Sequence, residues 1–179
     1  HPSFKNVSKV RSELSIKTIF NYLGPLLNPS NPNYQLIGCS DKKISYIMAK
    51  VCQKLNKKRV MIVHSLDGMD EISISDKTIL WDIKDQEITQ NIISPSDFGI
   101  PISDIKDIKG KNPEYNYQRM LQLFSGQKDE YNDIVTINSA YLLLLSGKFG
   151  DISNCLLVAR DCLEKNLPLK LLNKIKNGS

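Results

Sequence analysis

Arg59-Val60-Met61-Ile62-Val63-His64-Ser65-Leu66-Asp67-Gly68-Met69-Asp70-Glu71-Ile72-Ser73-Ile74 runs an unbroken apolar segment into a cluster of carboxylates. Val60 to Val63 carries no polar side chain and is mostly β-branched, the composition of a strand covered on both faces inside an α/β sheet. It reads as a central strand. Beyond His64-Ser65, an Asp67-Gly68 turn delivers Asp70 and Glu71 ahead of a second alternating run, Ile72-Ser73-Ile74. Ligands of open α/β sheets bind beyond the carboxyl ends of the strands. Neighbouring strand residues point to opposite faces, so Asp70 and Glu71 can converge on one ligand only in a loop or at a strand end. The turn at Gly68 provides such a place. Two carboxylates with no nearby Cys and no second His suit a hard cation with oxygen ligands, and Mg²⁺ usually takes one or two carboxylates plus substrate phosphates. An Asp-Glu pair after a turn is more often a solvated acidic loop, so spacing alone leaves both readings open.

Working outward, Tyr34-Gln35-Leu36-Ile37-Gly38-Cys39 reads as the first strand. Asp41 or Ser40 then caps a helix through Leu55, with Ile44, Ile47, Met48, Val51, Cys52 and Leu55 along its buried stripe. Strand, helix, strand is a βαβ unit, which makes the strands around Leu36 and Val60 parallel neighbours. The rhythm then changes. Ile72 to Ile74, Thr78 to Ile83 and Glu87 to Ile93 are short alternating runs separated by turn residues, an antiparallel meander at the sheet edge. Trp81 within it reads as a packing anchor.

Towards the amino end, Asn6 to Leu14 places Val7, Val10 and Leu14 on one helical face. Arg11 lies beside that face, either as a surface cation or as a fork for a substrate carboxylate. Thr18 can cap a second helix carrying Ile19, Phe20, Tyr22 and Leu23, which Gly24-Pro25 should disrupt. Asn28-Pro29-Ser30-Asn31-Pro32-Asn33 is an extended linker, because residues preceding proline are pushed out of the helical region. Towards the carboxyl end come a loop over 94–101, a turn of helix over 104–108, and a helix opened by Pro113 with Met120, Leu121 and Phe124 inward. Asp133 to Ala140 looks strand-like at first, Ala140 to Leu145 fits a buried helix better, and two amphipathic helices finish the chain at 152–165 and 168–176. The expected fold class is α/β, a mixed parallel and antiparallel sheet flanked by helices with a small helical segment first. The expected division is 1–29, part of a small helical domain and hinge, and 30–179, the carboxyl-terminal part of the α/β domain.

The chain has 179 residues, enough for one substantial core. Its formal net charge of +5 is a mild basic excess. Lysines are scattered, with Lys54, Lys57, Lys58 and Arg59 the only dense group, so nucleic acid is not the expected partner. Cys39, Cys52, Cys155 and Cys162 lack metal-type spacing and read as reduced, buried thiols. No apolar run reaches the roughly 18 residues that span a bilayer, and no secretory leader is visible, so a soluble, cytoplasmic protein is expected. The start at His1-Pro2, without Met, suggests processing, truncation or capture of part of a longer protein. There is no Gly-x-Gly-x-x-Gly, Walker loop or nucleophile elbow. Gly147-Lys148-Phe149-Gly150 reads as a helix-linking turn, and His64 as a support behind the site rather than a catalytic base.

Several stretches jointly carry a resemblance. His1-Pro2-Ser3-Phe4-Lys5, Val10-Arg11-Ser12-Glu13-Leu14, Thr18 through Leu26 with Asn28-Pro29, Val63-His64, Asp67 through Ser73, and Asn138-Ser139-Ala140 occur in an order that resembles the anthranilate phosphoribosyltransferase family over essentially the whole chain. The resemblance implies a nucleoside phosphorylase/phosphoribosyltransferase-like fold. It also implies transfer of phosphoribosyl from phosphoribosyl pyrophosphate to anthranilate in tryptophan biosynthesis, with a homodimer at full length. On the same ground Asp70 and Glu71 are expected to hold Mg²⁺ against the pyrophosphate, Arg11 to grip the anthranilate carboxylate, and His1 and Phe4 to line the anthranilate channel.

The family's glycine-rich pyrophosphate loop, Gly-Thr-Gly-Gly-Asp, precedes the region that this sequence resembles, so the stretch by itself is expected to be inactive without its amino-terminal half. Ser65 stands where the family commonly has glycine, and Lys111-Asn112-Pro113 replaces a more usual Gly-Asp-Ala. The alternative reading is a non-catalytic relative of the same fold that binds nucleic acid. Such a protein needs neither Asp70-Glu71 nor Arg11.

Overall fold

The computed structural model describes residues 18–178. The expected helix over Asn6 to Leu14, and with it Arg11, His1 and Phe4, lies outside the described residues. Helix α1 spans Phe20–Leu26. It is entered through a turn in which the Thr18 N–H donates to Asn21 Oδ1 at 2.9 Å, so Thr18 is not a side-chain cap. Gly24-Pro25 does not break it, contrary to expectation. Pro25 sits inside the helix, and the Leu27 N–H still reaches Leu23 O at 3.0 Å to close the turn.

Strand β1 (Tyr34–Gly38) is followed by helix α2 (Lys42–Lys54), capped by Asp41, whose carboxylate accepts the N–H of Lys43 and Ile44 at 2.9 and 3.0 Å. The buried line on α2 is Ser45, Met48, Ala49 and Cys52, rotated from the expected stripe, and Ile47, Val51 and Leu55 face outward. Close approach explains the rotation, because small side chains let the helix lie against the sheet. At that contact Trp81 Nε1 donates to Ser45 Oγ at 3.0 Å.

Strands β2 (Arg59–Ser65), β3 (Thr78–Lys84) and β4 (Glu87–Ile93) complete one sheet in the order β1-β2-β3-β4. β1 and β2 are parallel, with Leu36 opposite Met61; β2 pairs antiparallel with β3, and β3 with β4. The sheet is therefore mixed and β2 is interior, as expected. Alternation along β2 feeds two cores. Val60 and Ile62 join Ile37, Met48, Ala49 and Cys52 beneath α2, with Tyr22 and Leu26 of α1 against them. Met61 and Val63 join Ile72, Ile74 and Leu80 on the other face. Each fully buried Ile or Val contributes about 1.5–3 kcal/mol.

Two expectations for strands fail. Ile72-Ser73-Ile74 is buried but is not a strand, because its backbone is satisfied mainly by side chains: Ile72 by Asn138, and the Ser73 N–H by Thr78 Oγ1 at 3.1 Å. Its alternation comes from burial in a loop. Asp133 to Ala140 is not strand-like either. It lies in helix α4 (Glu130–Ser146), which follows helix α3 (Pro113–Phe124). Ile134, Ile137, Tyr141 and Leu145 of α4 pack on the Met61 face of the sheet. The helical spacing of these contacts outweighs the modest helix cost of the β-branched residues.

The loop expected over 94–101 contains a 3₁₀ turn at Pro95–Phe98, and a second such turn spans Ile105–Ile108. In α3 the buried residue is Leu123, whereas Met120, Leu121 and Phe124 are half-buried. Gly147 ends α4 with φ 68° and leads into α5 (Ile152–Glu164), followed by α6 (Leu167–Lys176). All four cysteines are thiols rather than disulfides, three of them buried and Cys162 half-buried. No helix among the described residues is long and apolar enough to cross a membrane.

Candidate metal and substrate site

The carboxyl end of β2 turns back on itself. The Ser65 N–H donates to Met69 O and the Gly68 N–H to Ser65 O, both at 3.0 Å, and Gly68 takes φ 93°. That conformation suits a residue without Cβ. Ser65 itself, in place of the family's common glycine, needs no such freedom: it continues β2 with negative φ and is fully buried.

Asp67 ties the turn to the buried segment 72–75. Its Oδ1 accepts the Met69 N–H at 3.0 Å, while Oδ2 accepts Ser73 Oγ at 2.5 Å and also Ser75 Oγ. Partial burial raises the pKa of Asp67, but the bonds from Ser73, Ser75, the Met69 N–H and Ser65 outweigh it and hold the carboxyl below the usual aspartate range. Local sequence marks Asp67 only as a turn residue; Ser73 and Ser75, six and eight positions on, are the signal for its wider role.

Asp70 and Glu71 line an open cleft of about 330 Å³ together with Leu36, Gly38, Val63, Ile134 and Asn138. Both are exposed. The Glu71 carboxyl is raised above its ordinary value, first by loss of water around it and second by the charge of Asp70. A divalent cation between the two would relieve that repulsion, and two accessible carboxylates are the donor set that Mg²⁺ usually takes from a protein. Among the described residues no group of three or more His, Cys, Asp or Glu is assembled. Any further ligands to a cation at Asp70 and Glu71 would be water or substrate oxygens.

His64, near the end of β2, is buried, with Nδ1 2.9 Å from the carbonyl oxygen of Cys39, the residue that follows β1. Asn138 of α4 holds both backbone polar groups of Ile72, and Gly38 lies against the Asp70 backbone. Sequence reasoning leaves both out of the site. A polar amide inside an otherwise apolar helix needs a partner, and a glycine in a strand marks close backbone approach; either signal could have found them.

The model of the glycosyl transferase family, a/b domain, matches residues 1–166. The chain belongs to that family. It is 34% identical over 175 residues to the anthranilate phosphoribosyltransferase of Thermoanaerobacter sp. (strain X514), covering 98% of this chain and 52% of the relative. Among solved structures, it superimposes on anthranilate phosphoribosyltransferase from Thermus thermophilus with a TM-score of 0.88 at 26% identity, over 97% of this chain and 51% of the other. The Saccharomyces cerevisiae enzyme in complex with PRPP and Mg gives a TM-score of 0.87 at 26% identity, over 97% and 50%. The chain thus spans about half the length of the relatives it matches, and its fold is that of the corresponding part of a phosphoribosyltransferase of this type.

Proposed function

We propose that this chain is the carboxyl-terminal portion of an enzyme that transfers phosphoribosyl from phosphoribosyl pyrophosphate to anthranilate in tryptophan biosynthesis. The observation that carries the reading is the Asp70-Glu71 pair, held by a braced loop at the carboxyl end of the interior strand and open to a cleft. In the reaction, the anthranilate amine nitrogen forms a bond to the ribose carbon as the bond from that carbon to pyrophosphate breaks, and the nitrogen gives up one proton. Asp70 and Glu71 would hold Mg²⁺, which supplies neutralisation of the charge gathering on the departing pyrophosphate. By family resemblance Arg11 would fix the anthranilate carboxylate by two parallel hydrogen bonds so that the amine faces the ribose, and His1 and Phe4 would line the anthranilate channel.

Asp70 and Glu71 are themselves negative and repel pyrophosphate, so the backbone donors that cradle its oxygens must come from the amino-terminal half. Residues 1–29 belong with the small helical domain of that whole enzyme, a cytoplasmic homodimer. The stretch 1–179 alone has no transferase activity.

Replacing both Asp70 and Glu71 by Ala in the full-length enzyme tests the reading. Turnover should collapse with little change in melting temperature, and Mg²⁺-dependent turnover that survives the double substitution would sink it. For Arg11→Ala, anthranilate binding should weaken by about 1.5–3 kcal/mol while phosphoribosyl pyrophosphate binding holds. Equal weakening of both would make Arg11 structural.

A further inference from the structure

We propose that Asn138 is a positioning residue for the Asp70-Glu71 pair, aiming both carboxylates by clamping the two peptide units that flank Ile72, the residue next to them. The side-chain amide of Asn138 accepts the Ile72 N–H at 3.0 Å and donates to Ile72 O at 2.8 Å, and its second amide hydrogen goes to Ile134 O at 2.9 Å within α4. Both donors and the acceptor are used. The reverse amide orientation would turn the NH₂ group against the Ile72 N–H and the oxygen against two carbonyls, so these partners allow only one orientation.

The clamp reaches across 66 residues of sequence and joins the acidic loop to the buried face of α4. Ile137, the neighbour of Asn138, is fully buried, and Ile134 and Tyr141 are in the same core. Ile72 itself is 1% exposed, so water cannot readily replace the amide. With the 71–72 peptide unit fixed through the Ile72 N–H, the Cα of Glu71 has little freedom. On the other side, contact of the Asp70 backbone with Gly38 limits movement towards β1. The two residues therefore line the cleft on a backbone held at both margins.

The chemistry at position 138 is narrow. Aspartate has the same shape and can accept the Ile72 N–H, but it sets a second oxygen against Ile72 O. Alanine leaves both groups of Ile72 without the partner, and glutamine is one methylene too long for the same geometry.

The inference rests on the reading that Asp70 and Glu71 hold a divalent cation, and the test separates the two. In the full-length enzyme, amide hydrogen exchange over residues 66–74 is compared for wild type, Asn138→Ala and Asn138→Asp, alongside binding of Mn²⁺ alone, without pyrophosphate, read from the free Mn²⁺ electron paramagnetic resonance signal. In the wild type the Ile72 amide should be among the slowest in that loop; fast exchange there overturns the clamp without any variant. In the variants, exchange over 66–74 should rise more than about tenfold while that of β2 holds, and Mn²⁺ affinity should fall by roughly 10-fold or more, as for other groups that orient metal ligands. A loop that opens with Mn²⁺ affinity unchanged overturns the positioning role. Asp70→Asn with Glu71→Gln is the control: loss of Mn²⁺ binding there supports the cation reading whatever Asn138 does, and retention overturns that reading itself.

Discussion

Gly38 and Asp70 meet backbone to backbone. A Cβ on Gly38 would overlap the Asp70 carbonyl oxygen and stand 2.7 Å from its carbonyl carbon and 3.0 Å from its Cβ. These are main-chain obstacles, which no rotamer change can clear. Gly38→Ala should therefore push the acidic loop off β1, at a cost of about 1–3 kcal/mol in stability, with a rise in the Mg²⁺ concentration needed for half-maximal turnover. A Gly38→Ala enzyme with wild-type melting temperature and Mg²⁺ dependence would show that the loop yields freely.

Asp67 makes the loop sensitive to acid. Its folded pKa lies below the ordinary aspartate value because of the bonds from Ser73, Ser75 and the Met69 N–H. The ionised form therefore stabilises the fold above the ordinary aspartate range, and this contribution fades as pH falls through the folded value. Asp67→Asn should cost about 1 kcal/mol at neutral pH, and the gap to wild type should narrow in acid. Denaturant unfolding at a series of pH values measures it; a gap that stays constant or widens in acid contradicts the assignment.

How far the sequence carries this fold depends on where each contact comes from. The run Val60 to Val63 announces an interior strand because burial on both faces leaves no polar position, and the Asp41 cap and Gly147 stop are local chemistry that local sequence shows. Ile72-Ser73-Ile74 misleads because three residues of alternation cannot distinguish a strand from a buried loop. What decides is a side chain on α4, and nothing near Ile72 reveals it. The same holds within the site. The turn at a strand end marks the place of Asp70 and Glu71 and the family resemblance suggests their role, whereas Gly38 and Asn138 enter through contacts with backbone distant in sequence. The roles given to Arg11, His1 and Phe4 come from family resemblance alone, since those positions lie outside the described residues.

The cysteines should differ sharply in reactivity. Burial pushes the Cys52 thiol up to about 11, and the residue is 1% exposed, so almost no thiolate is present near neutrality. Cys162, only half-buried, has the easier access. Under native conditions, iodoacetamide at mildly alkaline pH should label Cys162 first and Cys52 only on unfolding. Peptide mass mapping against time reads the order, and early labelling of Cys52 would mean that α2 lifts off the sheet.

The one dense basic group offers a direct contest between the enzyme reading and the nucleic-acid alternative. Within Lys54, Lys57, Lys58 and Arg59, two cations are committed inside the fold. Arg59 makes a two-point bond to Asp82, at 3.0 Å through Nε and 2.6 Å through an Nη, and Lys57 Nζ bonds to Asn31 Oδ1 and Pro32 O at 2.5 and 3.1 Å. Lys54 and Lys58 stay exposed. A phosphate backbone laid on this patch would gain about two cation contacts, and the slope of log K against log salt should then be no steeper than about −2 for duplex DNA. Asp82→Ala should release Arg59 and steepen the slope by about one, besides costing about 1 kcal/mol in stability. Binding titrations with a random-sequence duplex at several salt concentrations would measure both. A wild-type slope of about −6 or steeper, at an affinity that survives physiological salt, would require a basic footprint much larger than this one and would favour the nucleic-acid reading over the enzyme.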